Sequence, residues 1–362
     1  MPKLLAFFFI VILILVVVYL AKVTYDGAGS TSGAAETSSA IPDINRLADF
    51  PEKIEYRHDI KSYDLPTIHD GQRKLLLSEI ELLTKYGDLA PTVVYIGAAM
   101  GRHLLTLHEL FPKHKFILYD PNPFHEPLLT HKAFEIHNDF FTDEDVKKYK
   151  KKPILFISDI RSQDNVDDPK KFEESIVEDM ARQRKWVEEI KPKASSLKFR
   201  LPFTPGVTEY LDGDVYIQSY PPKFSAECRL FVTDKQLKKT KKYNHTEHEQ
   251  RMWYHNNIAR TCGYEHNIEY PGLDYCYDCA SQLQIINEYL EKNPKSKLTR
   301  KLILDKINDV TKPLTRNNHG KKISADDCKQ NQARRKLLIQ TTPPKTASLE
   351  TNIKKARRLF YK

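Results

Sequence analysis

Residues 92–101, TVVYIGAAMG, decide the fold, because an apolar strand runs there into a loop of small residues. The apolar run 92–96 predicts the strand, and a helix is predicted at residues 100–111. Small residues between a strand and a helix let a ligand approach the backbone and the amino end of the helix. Gly97 and Gly101 are a weak signal alone, since an ordinary tight turn also uses such residues.

The surrounding sequence repeats this alternation of strand and helix. Further strands are predicted at residues 115–119, 134–137 and 153–158, and helices at 72–86, 143–150 and 170–190. Three later strands, at 194–200, 214–218 and 226–232, lack long helices between them, and helices at 247–261 and 275–291 close the domain. Alternation implies a parallel sheet covered on both faces, so the pattern predicts an α/β fold with a mostly parallel sheet of about seven strands.

Ligands of such sheets bind at the carboxyl ends of the strands, which singles out Gly97, Asp120 and Asp159. Asp120 follows the second strand, 23 residues after Gly97, where a carboxylate can hold both hydroxyls of a ribose. The two residues together predict an adenosine-containing cofactor. They do not separate a dinucleotide from S-adenosylmethionine, and Asp120 acting only as a helix cap is the alternative.

Two lysines and two carboxylates come from four separate predicted elements, namely Lys74, Asp159, Lys198 and Glu227. A lysine can deprotonate a hydroxyl if partial burial and neighbouring positive charge lower its pKa, and flanking carboxylates can position it. Charged pairs in strands are often ordinary salt bridges. Spacing alone therefore gives this set little weight.

The amino terminus carries an unbroken run of 18 apolar residues, 4–21, between Lys3 and Lys22. A helix of that length spans about 27 Å, close to a bilayer core, whereas the apolar part of a cleaved signal peptide is about 7–15 residues long. An uncleaved anchor is favoured over a signal peptide. The chain is divided into a transmembrane anchor at 1–24, a flexible Gly-, Ser- and Ala-rich linker at 25–48, one folded domain at 49–294 and a basic, disordered tail at 295–362.

Positive charge is concentrated in that tail, where 19 Lys and Arg face 5 Asp and Glu, a net charge of +14. Because the whole chain carries +9, residues 1–294 carry −5. Such a tail attracts RNA phosphates without reading sequence. A merely solubilising role, or contact with anionic lipid near the anchor, is the alternative.

Five cysteines make an odd, sparse set, which excludes a secreted disulfide framework and favours a cytosolic domain. Cys276 and Cys279 form a C-x-x-C motif, with Cys262 and His266 upstream. These four could hold zinc, but their spacing matches no common zinc finger. We predict buried thiols and no metal.

Five ordered blocks carry a family resemblance: residues 71–77 (GQRKLLL), 94–97 (VYIG), 157–162 (ISDIRS), 194–198 (ASSLK) and 225–229 (SAECR). Together they resemble the poxvirus-type cap-specific mRNA (nucleoside-2′-O-)-methyltransferase family, whose members are also the regulatory small subunit of the viral poly(A) polymerase. The resemblance covers about residues 56–290, and a large DNA virus is the expected source. It implies a Rossmann-like, S-adenosylmethionine-dependent methyltransferase fold and methylation of the first transcribed ribose of capped mRNA.

The resemblance also implies site residues. Lys74, Asp159, Lys198 and Glu227 match the family's catalytic tetrad, with Lys198 as the deprotonating lysine. The residues that match its S-adenosylmethionine site are Tyr95, Gly97, Ala98, Gly101, Asp120 and Asp159. Its cap pocket stacks methylated guanine between aromatic rings, where Phe203 matches one ring and Tyr56, more loosely, the other. Glu249 matches a carboxylate that accepts from the guanine edge, and Arg200 matches a pocket or backbone-contacting arginine. Simple packing is the alternative for both rings.

Three positions and the anchor depart from the family pattern. Met100 stands where proline is common, Phe199 replaces a tryptophan, and Pro205 replaces a second guanine-binding aspartate. The prediction is nevertheless a capped-mRNA 2′-O-methyltransferase, membrane-anchored with its domain facing the host cytosol, or associated with the virion. Two rival hypotheses are a non-enzymatic, RNA-binding processivity subunit of a viral poly(A) polymerase and a methyltransferase acting on a different RNA.

Overall fold

The computed structural model describes residues 44–49, 52–55, 57, 70–162, 168–261, 264–314 and 325–342. The predicted anchor, residues 25–43 of the predicted linker and Tyr56 lie outside these residues. The linker prediction was wrong for residues 44–48, because Ile44 and Leu47 are buried in the core of the folded domain. Within the described ranges, no helix has both the length and the apolar character needed to cross a membrane.

The strands are β1 (Thr92–Ile96), β2 (Lys115–Tyr119), β3 (Phe134–His137), β4 (Ile154–Ser158), β5 (Ala194–Phe199), β6 (Val207–Leu211), β7 (Asp214–Ile217), β8 (Cys228–Thr233) and β9 (Thr240–Asn244). Seven of them form one sheet in the order β3-β2-β1-β4-β5-β8-β7. Strands β1 to β5 pair in parallel, while β8 runs antiparallel to both of its neighbours, β5 and β7. The mostly parallel seven-stranded sheet of a Rossmann-like methyltransferase fold is therefore confirmed.

The helices are α1 (Gly71–Tyr86), α2 (Leu104–Leu110), α3 (Glu126–Leu129), α4 (Asp143–Tyr149), α5 (Pro169–Ile190), α6 (His245–Asn257), α7 (Tyr277–Lys292), α8 (Arg300–Val310) and α9 (Ala325–Thr341). They cover both faces of the sheet, because alternate residues of the buried strands point to opposite sides. In β1, Val93 and Tyr95 join the core formed with α1, α2, α7 and α8, whereas Val94 and Ile96 join the core formed with α4 and α5.

Two local predictions were wrong. The helix predicted from residue 100 begins only at Leu104, because Gly101 has φ +69° and cannot continue a right-handed helix into the loop. Strands β6 and β9 were missed, and they pair with each other as a separate two-stranded sheet. β9 has the sequence TKKYN, which does not alternate apolar and polar residues. It is a strand because it pairs with β6, which is distant in the sequence.

The predicted disorder of residues 295–362 was wrong for two stretches, which form α8 and α9. Ile303, Leu304 and Ile307 of α8 are buried in the core that contains α1 and α7. Ile339 of α9 is buried against Trp253 and Ile258. The prediction failed because the high net charge conceals a narrow apolar stripe on α8 and the one buried apolar side chain of α9. Residues 315–324 and 343–362 lie outside the described ranges.

Candidate active site and cofactor cleft

Four elements bring the predicted tetrad together. Lys74 lies in the first turn of α1, which Asp70 caps by accepting from the backbone N–H groups of Gln72 and Arg73. Asp159 directly follows β4, Lys198 lies in β5, and Glu227 directly precedes β8. Because β4 and β5 are parallel neighbours and β8 runs antiparallel beside β5, all of these side chains reach the same edge of the sheet.

The tetrad forms one chain of ion pairs. The Lys198 Nζ lies 3.1 Å from the Asp159 Oδ1 and 3.8 Å from the Glu227 Oε2. It also donates to the backbone carbonyl of Asp159, at 3.3 Å. The Lys74 Nζ donates to the other oxygen of the same carboxylate, Glu227 Oε1, at 2.9 Å. Both lysines are thus held by carboxylates in a partly buried position, where their side chains are 12% and 14% exposed.

Two arginines complete the cluster, and neither was predicted as a site residue. The Arg229 Nη2 lies 2.5 Å from the Asp159 Oδ1, and its Nη1 donates to the Ser158 carbonyl at 3.2 Å. The Arg161 Nη2 donates to the Glu227 Oε2 at 3.4 Å, while its Nη1 lies 3.8 Å from the Asp179 Oδ2. Arg161 and Arg229 lie in the sequence blocks 157–162 and 225–229 that carry the family resemblance. The sequence alone did not show that they contact the tetrad.

The surroundings make Lys198 the group that can lose a proton. Burial lowers the pKa of its ammonium, and Arg161 and Lys74 lower it further, while Asp159 and Glu227 oppose them. Burial alone would raise the pKa of the Asp159 and Glu227 carboxyls, but the surrounding cations outweigh burial and hold both pKa values low. The two carboxylates therefore stay ionised, and a neutral Lys198 leaves three cations, Lys74, Arg161 and Arg229, beside the three carboxylates of Asp159, Glu227 and Asp179.

A cleft of about 600 Å³ opens above this cluster, and it is lined by Lys74, Asp159, Lys198 and Glu227 at one end and by Gly97 and Asp120 at the other. Gly97 has φ +77°, and a Cβ there would lie 2.9 Å from the Asp159 carbonyl carbon. Asp120 is 8% exposed and accepts from the backbone N–H of Ala99 at 3.0 Å and of Asn122 at 2.9 Å. The Asp120 Oδ1 also accepts from the Asn122 side-chain amide at 3.0 Å. The carboxylate thus braces the loop while facing the cleft, and the Oδ2, which accepts one hydrogen bond, keeps a further lone pair for a ligand.

Three of the six predicted cofactor residues, Tyr95, Ala98 and Gly101, lie behind the cleft rather than along it. Strand alternation turns the Tyr95 ring into the core with α1, where it lies beside Glu79. In their place the structure adds Asn122, Asp139 and Phe140 to the lining. The Phe140 ring is 69% exposed, so it presents a flat apolar surface to a purine. The sequence feature that could have identified Phe140 is the aromatic pair Phe140-Phe141 after β3.

Of the predicted cap residues, Arg200 and Glu249 lie near the Phe203 ring. The Arg200 Cζ lies 4.6 Å from the Phe203 ring centroid and 4.9 Å from that of Phe172, so the guanidinium is placed between two rings. The Phe203 backbone N–H donates to the Glu173 carboxylate. Burial raises the pKa of Glu249 to about 7, with Glu173 adding to the rise and Arg200 opposing it.

Phe203 and Glu249 share the lining of a cavity of about 10 Å³ with Phe224, Trp253 and Asn257. That space holds a water but not a purine, so a guanine would lie on the open side of this cluster. Pro205 is exposed beside it and supplies no polar group. We call this cluster the Phe203–Glu249 pocket.

The cysteine motif has a different set of neighbours from the one predicted. Ligand atoms of Asp274, Cys276 and Cys279 lie within 4.8 Å of one another. The Cys276 Sγ instead accepts from the Cys279 N–H at the start of α7, and burial raises the Cys276 pKa well above its usual range. His266 Nε2 bonds the Asp274 carbonyl at 2.8 Å, while Cys262 lies outside the described residues. Neutral, buried thiols explain this arrangement.

Comparisons with known proteins agree with this geometry. A family model described as the poly A polymerase regulatory subunit matches residues 41–309. The cap-specific mRNA (nucleoside-2′-O-)-methyltransferase of myxoma virus (strain Lausanne) is 32% identical over 212 residues, which are 53% of this chain and 62% of the viral protein. The enzyme of the same description from fowlpox virus (strain NVSL) is 31% identical over 244 residues, 62% of this chain and 78% of that protein.

The match spans less than two thirds of the myxoma virus protein. Among solved structures, bluetongue virus VP4, described as a multifunctional RNA-capping production line, aligns with a TM-score of 0.36 and 17% identity over 66% of this chain and 42% of that one. That likeness is too low to bear on function. The family model covers well over half of the chain, including the sheet and the tetrad, and the chain belongs to the poly A polymerase regulatory subunit family.

Proposed function

We propose that this protein methylates the ribose 2′-hydroxyl of the first transcribed nucleotide of capped mRNA, with S-adenosylmethionine as methyl donor. The observation that carries the proposal is Lys198, held between Asp159 and Glu227 with its pKa lowered by burial. A buried amine with a lowered pKa can take a proton from a weakly acidic hydroxyl. The viral relatives described as cap-specific methyltransferases support the same reading.

The chain's own residues account for each step. S-adenosylmethionine, when bound, supplies a methyl group on a sulfonium ion. Gly97 admits the donor close to the backbone, Asp120 accepts from its ribose hydroxyls, and Phe140 covers its purine ring. Lys198 orients the RNA hydroxyl and accepts its proton as the ribose oxygen bonds to the methyl carbon. The carbon–sulfur bond breaks in the same step, and its electron pair stays on the sulfur, which leaves as a neutral thioether. Asp159 and Glu227 stabilise the resulting ammonium, and Lys74 keeps Glu227 in place.

Cap recognition falls to the Phe203–Glu249 pocket. N7-methylated guanine carries a positive charge, which strengthens stacking on an aromatic face. Arg200 already occupies one face of Phe203, so the base would stack on the other. The ionised Glu249 would accept from the guanine N–H groups. Tyr56, the predicted second ring, lies outside the described residues and stays a prediction.

The experiment for this proposal follows labelled methyl groups from S-adenosylmethionine into short RNAs of one sequence that carry either a methylated guanosine cap or a 5′-triphosphate. We expect label on the first ribose of the capped RNA alone. Equal labelling of both RNAs would instead favour the rival hypothesis of a methyltransferase acting on a different RNA.

A second role, as the regulatory subunit of a viral poly(A) polymerase, is favoured by the family to which the chain belongs. The two roles are compatible, because the tetrad occupies only one end of the sheet. Affinity purification from infected cells should recover a polymerase catalytic subunit with this chain. Recovery of none, from cells in which the protein is folded and active, would count against this role.

We also propose that residues 1–24 anchor the protein in a membrane, that residues 25–43 are the linker, and that the domain faces the host cytosol, where capped RNA and the methyl donor are present. The support is the apolar run at 4–21. The protein should resist alkaline extraction from membranes and be digested by protease added to sealed vesicles from the cytosolic side. Cleavage after the apolar run, seen by amino-terminal sequencing, would favour a signal peptide, and recovery in purified virions would test the alternative location.

A further inference from the structure

The helix α9 lies beyond the residues that the family model matches, yet it packs on α6, the helix that carries Glu249. Ile339 is 4% exposed and packs with Trp253 and Ile258. The carbonyl groups at the end of a helix need partners from elsewhere. The Gln332 Nε2 donates to the Ile258 carbonyl just past the end of α6, at 3.1 Å.

Two of the residues that α9 contacts, Trp253 and Asn257, line the Phe203–Glu249 pocket. On α6, Glu249, Trp253 and Asn256 lie on one helical face and line the pocket together with Asn257. The Arg335 Nη2 donates to the Asn257 Oδ1 at 3.2 Å. Ile339 packs against Trp253. Both contacts link α9 to residues that line the pocket.

Helix α9 also contacts residues 54 and 57, in the segment of chain that runs beside α6. The Arg57 Nη1 donates to the Ile339 carbonyl at 3.1 Å, and Ile54 packs into the cluster of Trp253, Ile258 and Ile339. The Ile54 N–H donates to the Gln250 carbonyl at 3.5 Å. Thus one turn of α9 fixes α6 and residues 54 and 57 relative to each other.

We propose that α9 is a positioning element for the guanine pocket, with Arg335 and Ile339 as its positioning residues. This inference rests on the cap recognition proposed above and assigns part of the basic tail a role other than phosphate attraction. Neither residue contacts the methyl-transfer tetrad in the structure. Their loss should therefore weaken cap binding and leave the donor site unchanged.

The test measures equilibrium binding of 7-methyl-GTP to the full-length protein and its variants. Arg335→Ala and Ile339→Ala should each weaken binding about fivefold, because the first removes a charged hydrogen bond to Asn257 and the second removes a buried side chain packed on Trp253. The matched controls are Arg334→Ala, which removes the same charge from an exposed position, and Leu338→Ala, whose side chain is 48% exposed. The controls should bind as the unaltered protein does.

With capped RNA, KM should rise in the two positioning variants while kcat and the affinity for S-adenosylmethionine stay within twofold. Equal losses in Arg334→Ala and Arg335→Ala would overturn the inference, because charge alone would then explain them. Unchanged binding in both positioning variants would overturn it as well. If the unaltered protein binds 7-methyl-GTP but transfers no methyl group, the proposed enzyme fails, and the binding data still decide the role of α9.

Discussion

Glu227 and Arg161 act on Lys198 in opposite directions, so their neutral variants should move its titration in opposite directions. Glu227→Gln removes a negative charge 3.8 Å from the Lys198 Nζ. Arg161→Gln removes a positive charge that helps to lower the pKa of Lys198. Both replacements keep a polar side chain near the size of the original, so the cleft keeps its shape.

The size of the first effect follows from that distance. At an effective dielectric constant of 20, two unit charges 3.8 Å apart interact by about 4 kcal/mol. Part of this is recovered as neighbours and water rearrange. Because one pH unit corresponds to about 1.4 kcal/mol, a shift of about one pH unit or more is expected. The carboxylate stabilises the ammonium, so Glu227→Gln lowers the pKa of Lys198, and Arg161→Gln raises it.

The assay is the pH dependence of kcat/KM for capped RNA. Activity requires neutral Lys198, so the rate rises with pH through the pKa of this group. In Glu227→Gln the acidic limb of the profile should move to lower pH, and in Arg161→Gln to higher pH. The plateau should also fall in Glu227→Gln, because the ion pair that Glu227 makes with Lys74 at 2.9 Å loses its negative charge. An acidic limb that stays in place in both variants, or moves in the same direction in both, would refute Lys198 as the deprotonating group.

Three further predictions concern the donor site, the cap and the core. Gly97→Ala should weaken S-adenosylmethionine binding at least about tenfold, because its Cβ would lie 2.9 Å from the Asp159 carbonyl carbon at a positive φ. The control Gly71→Ala, which has no atom within 4 Å of the new Cβ, should leave binding unchanged. Equal effects of the two substitutions in calorimetric titrations would contradict this prediction. Because the pKa of Glu249 is raised to about 7, the affinity for 7-methyl-GTP should fall as pH drops below that value. Glu249→Gln should abolish this pH dependence. If the affinity of the variant still depends on pH, another group is responsible. Ile307→Ala should lower the free energy of unfolding by about 2–5 kcal/mol, because this α8 side chain is fully buried, and a loss under about 0.5 kcal/mol in denaturant titrations would contradict the packing of α8.

The sheet and one edge of the site could be predicted from local pattern. Apolar runs that alternate with helices indicate parallel strands. The carboxyl ends of parallel strands lie at one edge of the sheet, so Gly97, Asp120 and Asp159, which follow strand ends, are placed at that edge. The family resemblance was needed to select Lys198 and Glu227 from many charged residues. Local pattern could not give the register between β5 and β8, which pairs Lys198 with Arg229 and so builds the cluster.

Where the predictions failed, a tertiary contact decided the outcome. Tyr95 was assigned to the cofactor because it precedes Gly97, but the pleat of β1 turns its ring into the core. Residues 295–362 were predicted to be disordered from their charge, yet three apolar side chains of α8 and Ile339 of α9 suffice to dock two helices. Phe140 was overlooked because an exposed aromatic residue acquires meaning only beside a cleft.

The most direct test of the central claim compares Lys198→Met with the unaltered full-length protein, using labelled S-adenosylmethionine and capped RNA. Removing a positioned general base typically costs about 10²–10⁴-fold in rate. We expect a loss of that size in kcat, with S-adenosylmethionine and 7-methyl-GTP bound as tightly as before. Full activity in Lys198→Met, with the label still on the first ribose, would contradict the account.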